Sequence, residues 1–202
     1  VQRATATIRA RRAAVVAETP DWAALRAAGE AIRERAVLRL DELLLRLEDA
    51  VTAAGGEVHW ARDAAEANEV VVGLITRSGA REVVKVKSLT TDELGLNDAL
   101  AKAGVEAIET DLAERIIQLA GERPSHPLAP SLHRGRPAMA ELLREALGDP
   151  GLADDPESLL AAARQHLRDA FLRARVAVSG ANFAVAETGT VAVVESEGNG
   201  RM

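Results

Sequence analysis

The chain has 202 residues, 48% of them hydrophobic, which suits one domain, or one domain with an appendage, and lets burial alone carry the fold. Its 31 acids against 25 bases give a net charge of −6, and aromatics make up 2%; this speaks against nucleic-acid binding, which needs a basic stripe or stacking platforms. Cysteine is absent, so disulfides, thiolate zinc sites and any iron–sulfur cluster ligated by this chain are excluded.

The longest apolar runs, around residues 70–75 and 191–194, fall far short of the ~18 residues of a membrane span. Residues 1–17 carry Arg3, Arg9, Arg11 and Arg12 before a short apolar run. That is too weakly apolar for a signal peptide, and it reads as a basic helix or frayed arm. No span and no signal together point to a cytoplasmic protein. The first residue is Val1 rather than methionine, and Met202 follows a glycine-flanked run; both suggest a trimmed chain.

Residues 20–54 read as one helix opened by Pro20 and Asp21, with Leu40, Leu43, Leu44 and Leu47 at helical spacing. Gly55-Gly56 ends it. A short strand is expected at 57–60 and a helix at 64–77. A valine-rich strand follows at 81–86, then an amphipathic helix at 91–103 with Thr90 and Glu93 as a capping box. Gly104 closes that helix, and a strand at 105–108 leads to a helix at 112–120. Such alternation over short loops indicates a mostly parallel sheet with helices packed on it. Pro124, Pro127, Pro130 and Pro137 then mark 121–137 as an extended connector. Helices resume at 138–147 and 156–174, the second capped by Asp155 and striped by Leu159, Ala163, Leu167 and Phe171. A strand at 176–178 and a hairpin of 182–186 with 190–195 complete the chain. The expected fold is α/β: a mixed, mostly parallel sheet flanked by helices, with residues 1–56 as an N-terminal helical extension and 57–202 as the main domain. Strands at 82–86, 105–108, 176–178 and 190–194 are expected in one sheet.

Four segments place polar residues where strands hand over to loops, the edge at which open α/β sheets bind ligands. In Lys85-Val86-Lys87-Ser88, alternation sends both lysines to one face beside a helix start, which suits an anion; two solvated lysines are the plainer alternative. In Glu109-Thr110-Asp111 with Glu114 and Gln118, Asp111 is a helix cap, while Glu114 and Gln118 share a face. His126 and His133 lie on the proline-rich connector without zinc-ligand spacing, so no metal site is expected. Ser125 and His126, adjacent in extended chain, point opposite ways and cannot pair as nucleophile and base. The fourth segment, Ser179–Phe183 with Ala186–Thr190 and Glu195–Gly200, has glycines that let backbone amides approach a ligand, but no dinucleotide or phosphate-loop fingerprint.

Taken in order, Lys85-Val-Lys-Ser88, Glu93, Leu96-Asn97, Glu109-Thr-Asp-Leu112, Ile117-Gln118-Leu119, Pro124-Ser-His126, His133, Gly180-Ala-Asn-Phe183, Ala186-Glu-Thr-Gly189 and Glu197-Gly-Asn-Gly200 resemble the LUD domain of the lactate utilization protein B family, with mild departures at Leu89 and Ala113. The resemblance runs from about residue 17 to the end. It implies a fold in the superfamily of glucosamine-6-phosphate deaminase, ribose-5-phosphate isomerase and CoA transferases. It also implies a part in a multi-subunit system oxidising L-lactate to pyruvate, the other subunits being its partners. The two [4Fe–4S] clusters of that family are implied for a C-terminal ferredoxin-like module absent from this sequence, so no cofactor is expected here. The expected role is small-anion binding or assembly, without catalysis by this portion alone. The alternative is a CoA-transferase-like enzyme with a glutamate nucleophile, for which Ser196-Glu197-Gly198-Asn199 offers a similar composition in a shuffled order. Lys87, Ser88, Asn182, Glu187, Thr188, Glu197 and Asn199 are expected to gather on one cleft for a small carboxylate or phosphate. Glu109, Gln118, His126 and His133 should border it.

Overall fold

Three parallel strands form the frame of the computed structural model, which describes residues 2–127, 129–195 and 197–201. Ser196, the first residue of the shuffled glutamate motif, lies outside the described residues. The chain divides into two units: one runs to Val58 and takes in Phe183–Val191, while the other comprises His59–Asn182 and resumes at Ala192.

In the first unit, α1 (Gln2–Ala17), α2 (Trp22–Leu38) and α3 (Leu40–Ala53) are helical. The basic arm is therefore a helix. The single helix expected over 20–54 is two, because Arg39 leaves helical geometry at φ −123° and ψ 27°. Its guanidinium turns instead to Glu42 in the first turn of α3, at 2.6 and 2.9 Å. Gly55, at φ 87°, ends α3 as glycine after a helix usually does. Residues 57–60 form no strand.

The second unit opens with α4 (Ala64–Arg77), capped by Asp63 accepting the Glu66 N–H at 2.9 Å. Then follow β1 (Glu82–Lys85), a five-residue α5 (Leu89–Glu93), α6 (Leu96–Lys102), β2 (Glu106–Glu109), α7 (Leu112–Ala120), α8 (Arg136–Leu147), α9 (Pro156–Arg173) and β3 (Ala177–Val178). The helix expected over 91–103 is split at Gly95, whose φ of 67° is left-handed. Ser88 rather than Thr90 caps α5, its hydroxyl accepting the Thr91 N–H at 3.3 Å. The sheet order is β2-β1-β3, all parallel, with Lys85 in register with Glu109 and with Val178.

Strand alternation sorts the core into two faces. Val83 and Ala107 pack with Ile75, Leu96, Leu100 and Val105 on one side. Val84 and Ile108 pack on the other with Leu167 and Ala170 of α9, and Phe171 joins them. Leu159 packs elsewhere, with Ala140, Leu143 and Leu152 around α8.

The hairpin, β4 (Phe183–Val185) and β5 (Thr190–Ala192), forms a separate two-stranded sheet. This corrects the expectation that 190–194 joins the main sheet. Its strands are three residues long and pair only with each other, and Phe183, Val185 and Val191 stay largely exposed. At its tip Gly189 has φ 71°, and a Cβ there would lie 2.8 Å from backbone atoms of Ala50 and Val51 in α3. Only glycine satisfies both constraints. Among the described residues, no helix is long and apolar enough to cross a membrane.

Leu100 is fully buried between α4 and the sheet. Leu100→Ala is expected to cost about 2–5 kcal/mol through the cavity it leaves, read as a lower urea midpoint at unchanged slope.

Candidate functional site

The site grows from the carboxyl ends of β1 and β2. Lys85 closes β1 and points to the face of Val83, where its side chain is 1% exposed. A buried ammonium needs a partner, and Glu109, directly across the parallel ladder, supplies one at 2.8 Å. Asp92 of α5 lies 3.4 Å from the same nitrogen. Asn97, one residue into α6, donates its amide to the same Glu109 oxygen, Oε1, at 2.8 Å. The other oxygen of Glu109 and the Oδ1 of Asn97 are buried without a hydrogen-bond partner in the structure.

Gln118 ties α7 to the end of β2. Its Oε1 accepts the Glu109 N–H at 3.1 Å and Arg115 at 2.6 Å, and its Nε2 donates to the Ala107 carbonyl. Arg115 also meets His166 Nε2 at 3.1 Å. Burial first, and then Arg115 and Arg173, push the His166 imidazole below its ordinary value, so the neutral ring can accept that bond. Asp111 precedes α7 but does not cap it; its Oδ2 takes the Lys87 backbone N–H at 2.6 Å. Glu197 serves as the cap, accepting the Leu112 N–H at 3.0 Å. The Lys87 ammonium pairs with Glu114 of α7. Burial nevertheless raises the Glu114 carboxyl above its usual range, outweighing the pull of Lys87.

These groups open onto a cleft of about 690 Å³. Its walls include Lys87, Asn97, Glu109, Glu114 and Gln118, the turn around Gly95, and the connector from Glu122 to Pro130. Of the seven residues expected to gather on one cleft, Lys87 lines it. Ser88 caps α5 behind it, and Gly180 approaches so closely that a Cβ there would sit 2.9 Å from the Ser88 hydroxyl. Asn199, buried, donates to Thr110 Oγ1 at 3.0 Å, and Asn182 accepts the Val194 N–H at 2.8 Å. Glu187 and Thr188 belong to the first unit, where Glu187 faces Arg46 at 3.3 Å and the Thr188 hydroxyl meets that of Thr190 at 2.8 Å.

Glu109 and Gln118 line the cleft. His126 is exposed on the connector. His133 bridges Ser125 Oγ at 2.9 Å and Glu122 Oε2 at 2.8 Å. Arg134 grips both oxygens of Glu122 at 2.6 and 3.0 Å. Sequence reasoning did not single out Asn97, Glu122 or the Ser125–His133 contact, and it left Lys85 among solvated alternatives. The ladder register is what joins Lys85 to Glu109, and sequence spacing does not supply it.

The LUD domain family matches residues 44–202. The chain belongs to the LUD domain family. The LUD chain is 41% identical over its whole length to the uncharacterized electron transport protein YkgF of Escherichia coli K12, and 40% to lactate utilization protein B of Oceanobacillus iheyensis. It is 44% identical over 92% of its length to lactate utilization protein B of an Exiguobacterium species. It spans 42% of the first two relatives and 39% of the third. No solved structure matches it.

Two outcomes follow from this geometry. Lys85→Met leaves Glu109 buried without its counter-charge and is expected to cost about 3–5 kcal/mol in urea unfolding; adding Glu109→Leu should restore most of the loss. The Arg134 fork, and then His133, hold the Glu122 carboxyl at about 2, below its ordinary 4.5. A depressed carboxyl stabilises above its unfolded value and loses that contribution as pH falls through the folded one. Between pH 4.5 and 2, the protection factors of the Ser125, His133 and Arg134 amides, taken relative to the intrinsic exchange rate at each pH, are therefore expected to fall in the native chain, but not in Glu122→Gln, where that step is already absent.

Proposed function

We propose that this LUD domain acts in lactate utilization as the small-ligand-binding portion of a larger protein, and that its ligand is a small hydroxy carboxylate held at the carboxyl edge of the sheet. The observation that carries the reading is the buried Lys85–Glu109–Asn97 network opening onto the cleft. Similarity over the full chain to proteins named for lactate utilization supports the biological setting.

The charge on the walls favours one ligand class. Asp92, Glu93, Asp98, Glu109, Glu114 and Glu122 line the cleft against Lys87 and Arg123. Phosphate, carrying charge on every side, meets repulsion there. A hydroxy acid presents one anionic end to the cations and a donor to the unpaired acceptors of Glu109 and Asn97. Oxidation of L-lactate to pyruvate, the partnership with other subunits and a cytoplasmic setting belong to this same reading. The chain's own residues do not fit an iron–sulfur cluster, because it has no thiolate donor; in this reading the two [4Fe–4S] clusters would belong to residues beyond this chain.

Calorimetric titration of the LUD chain with L-lactate tests the reading. Saturable binding is expected, weakened about tenfold in Asn97→Ala, the effect of losing one hydrogen bond beside a charged group, and in Lys87→Ala. Heat from inorganic phosphate equal to that from L-lactate, or none from L-lactate, would overturn it. In the full-length protein the same variants should impair growth on L-lactate and spare growth on pyruvate.

A further inference from the structure

The connector from Glu122 to Arg134 holds an arrangement that ligand binding does not require. Ser125 Oγ lies 2.9 Å from His133 Nδ1, and His133 Nε2 lies 2.8 Å from Glu122 Oε2. A hydroxyl, an imidazole and a carboxylate thus stand in line, the order of nucleophile, base and orienting acid. Arg134 fixes the carboxylate through both of its oxygens. The turn does not need the hydroxyl, since the Ser125 N–H closes it onto the Pro130 carbonyl at 3.1 Å. The Ser125 hydroxyl also reaches that carbonyl at 3.0 Å, so rotation about one bond moves its proton between the carbonyl and the imidazole. Ser125 is exposed, and Glu122, Arg123, Pro124, Pro127 and Pro130 around it line the cleft.

We propose that Ser125, His133 and Glu122 form an acyl-accepting relay for activated oxygen esters or thioesters. Ser125 Oγ attacks the acyl carbon and its proton passes to His133 Nδ1. The tetrahedral adduct collapses, the bond from the acyl carbon to the leaving oxygen or sulfur breaks, and Nδ1 returns its proton to the leaving group. Water, deprotonated by the same nitrogen, then releases the acid and restores the hydroxyl. Ser125 and His133 are the catalytic pair; Glu122 is a positioning residue that holds the ring and stabilises the imidazolium. The substrate class follows from a missing donor. The Ser125 N–H, which a serine nucleophile often uses to stabilise the oxyanion, is spent on Pro130, so the relay suits esters and thioesters, with their good leaving groups, rather than amides.

The test is a stopped-flow burst with p-nitrophenyl acetate on the 202-residue chain, followed by peptide mapping. A burst of one p-nitrophenolate per chain with an acetyl group on Ser125 is expected. Ser125→Ala and His133→Asn should each lose about 100-fold or more of the burst rate, the range of general-base assistance. Ser125→Cys should still take the acetyl group. Glu122→Gln should slow the burst about tenfold, and the conservative Glu122→Asp should recover most of that rate. A merely structural lock would leave the burst rate of both variants at the wild-type value. No burst in the wild-type chain, an acetyl group on lysines alone, or Ser125→Ala equal to wild type would each overturn the relay.

Discussion

The ion pair between Lys85 and Glu109 is the interaction on which the second unit depends. A lysine 1% exposed at the end of a central strand is tolerable only if its charge is met at once. The parallel register meets it by setting Glu109 directly opposite. Sliding β2 by one residue would turn Glu109 to the other face and strand both charges. The pair therefore makes one register cheaper than its neighbours. The apolar residues of β1 and β2, buried on both faces, discriminate register less sharply.

Much of the sheet's carboxyl edge is built on that residue. The Lys85 carbonyl accepts both the N–H and the hydroxyl of Thr110, and Thr110 in turn receives the buried Asn199. Glu109 takes Asn97 from α6, and the turn before α6 is possible because Gly95 adopts the left-handed region. Gln118 fastens α7 to the strand through the backbone of Ala107 and Glu109. Helices α5, α6 and α7 thus each hang by a polar bond on Lys85 or Glu109, the last residues of β1 and β2. Two acceptor atoms, Glu109 Oε2 and Asn97 Oδ1, stay unspent. An unmet buried acceptor costs stability, and such costs concentrate where a ligand repays them.

What the sequence made legible was local. The cap at Asp155, the stripe of α9, the valine strand, the glycine that ends α3 and the parallel alternation all rest on neighbours a few residues apart, and the structure has them. Long-range pairing was illegible. Residues 57–60 have strand composition but form no strand, and residues 190–192 pair with 183–185 rather than with the main sheet. The break at Arg39 was hidden because apolar spacing continues through it; only its side-chain bond to Glu42 marks the second start. At the site, Lys87 and Glu109 were readable as polar residues at strand ends, and Gln118 as a polar residue on the helix that follows. Asp111 looked like the cap of α7, yet Glu197, 85 residues away, fills that role. Helix-cap rules assume the nearest carboxylate wins, and here it is taken first by the Lys87 backbone.

Two carboxyls on the walls of this cleft are pushed in opposite directions. Glu114 of α7 is half-buried, and the loss of water raises it despite its lysine partner. Glu122 sits at the surface, and the Arg134 fork holds it at about 2. Their environments differ in kind: one carboxyl is set by desolvation, the other by hydrogen bonds from a fixed cation. The cleft accordingly carries a desolvated carboxyl paired with Lys87 on the α7 side and a carboxylate held by Arg134 and His133 on the connector side. A ligand that enters between them meets a different electrostatic setting at each end. That asymmetry arises because α7 is packed against the sheet while the connector, bounded by prolines, runs over the surface.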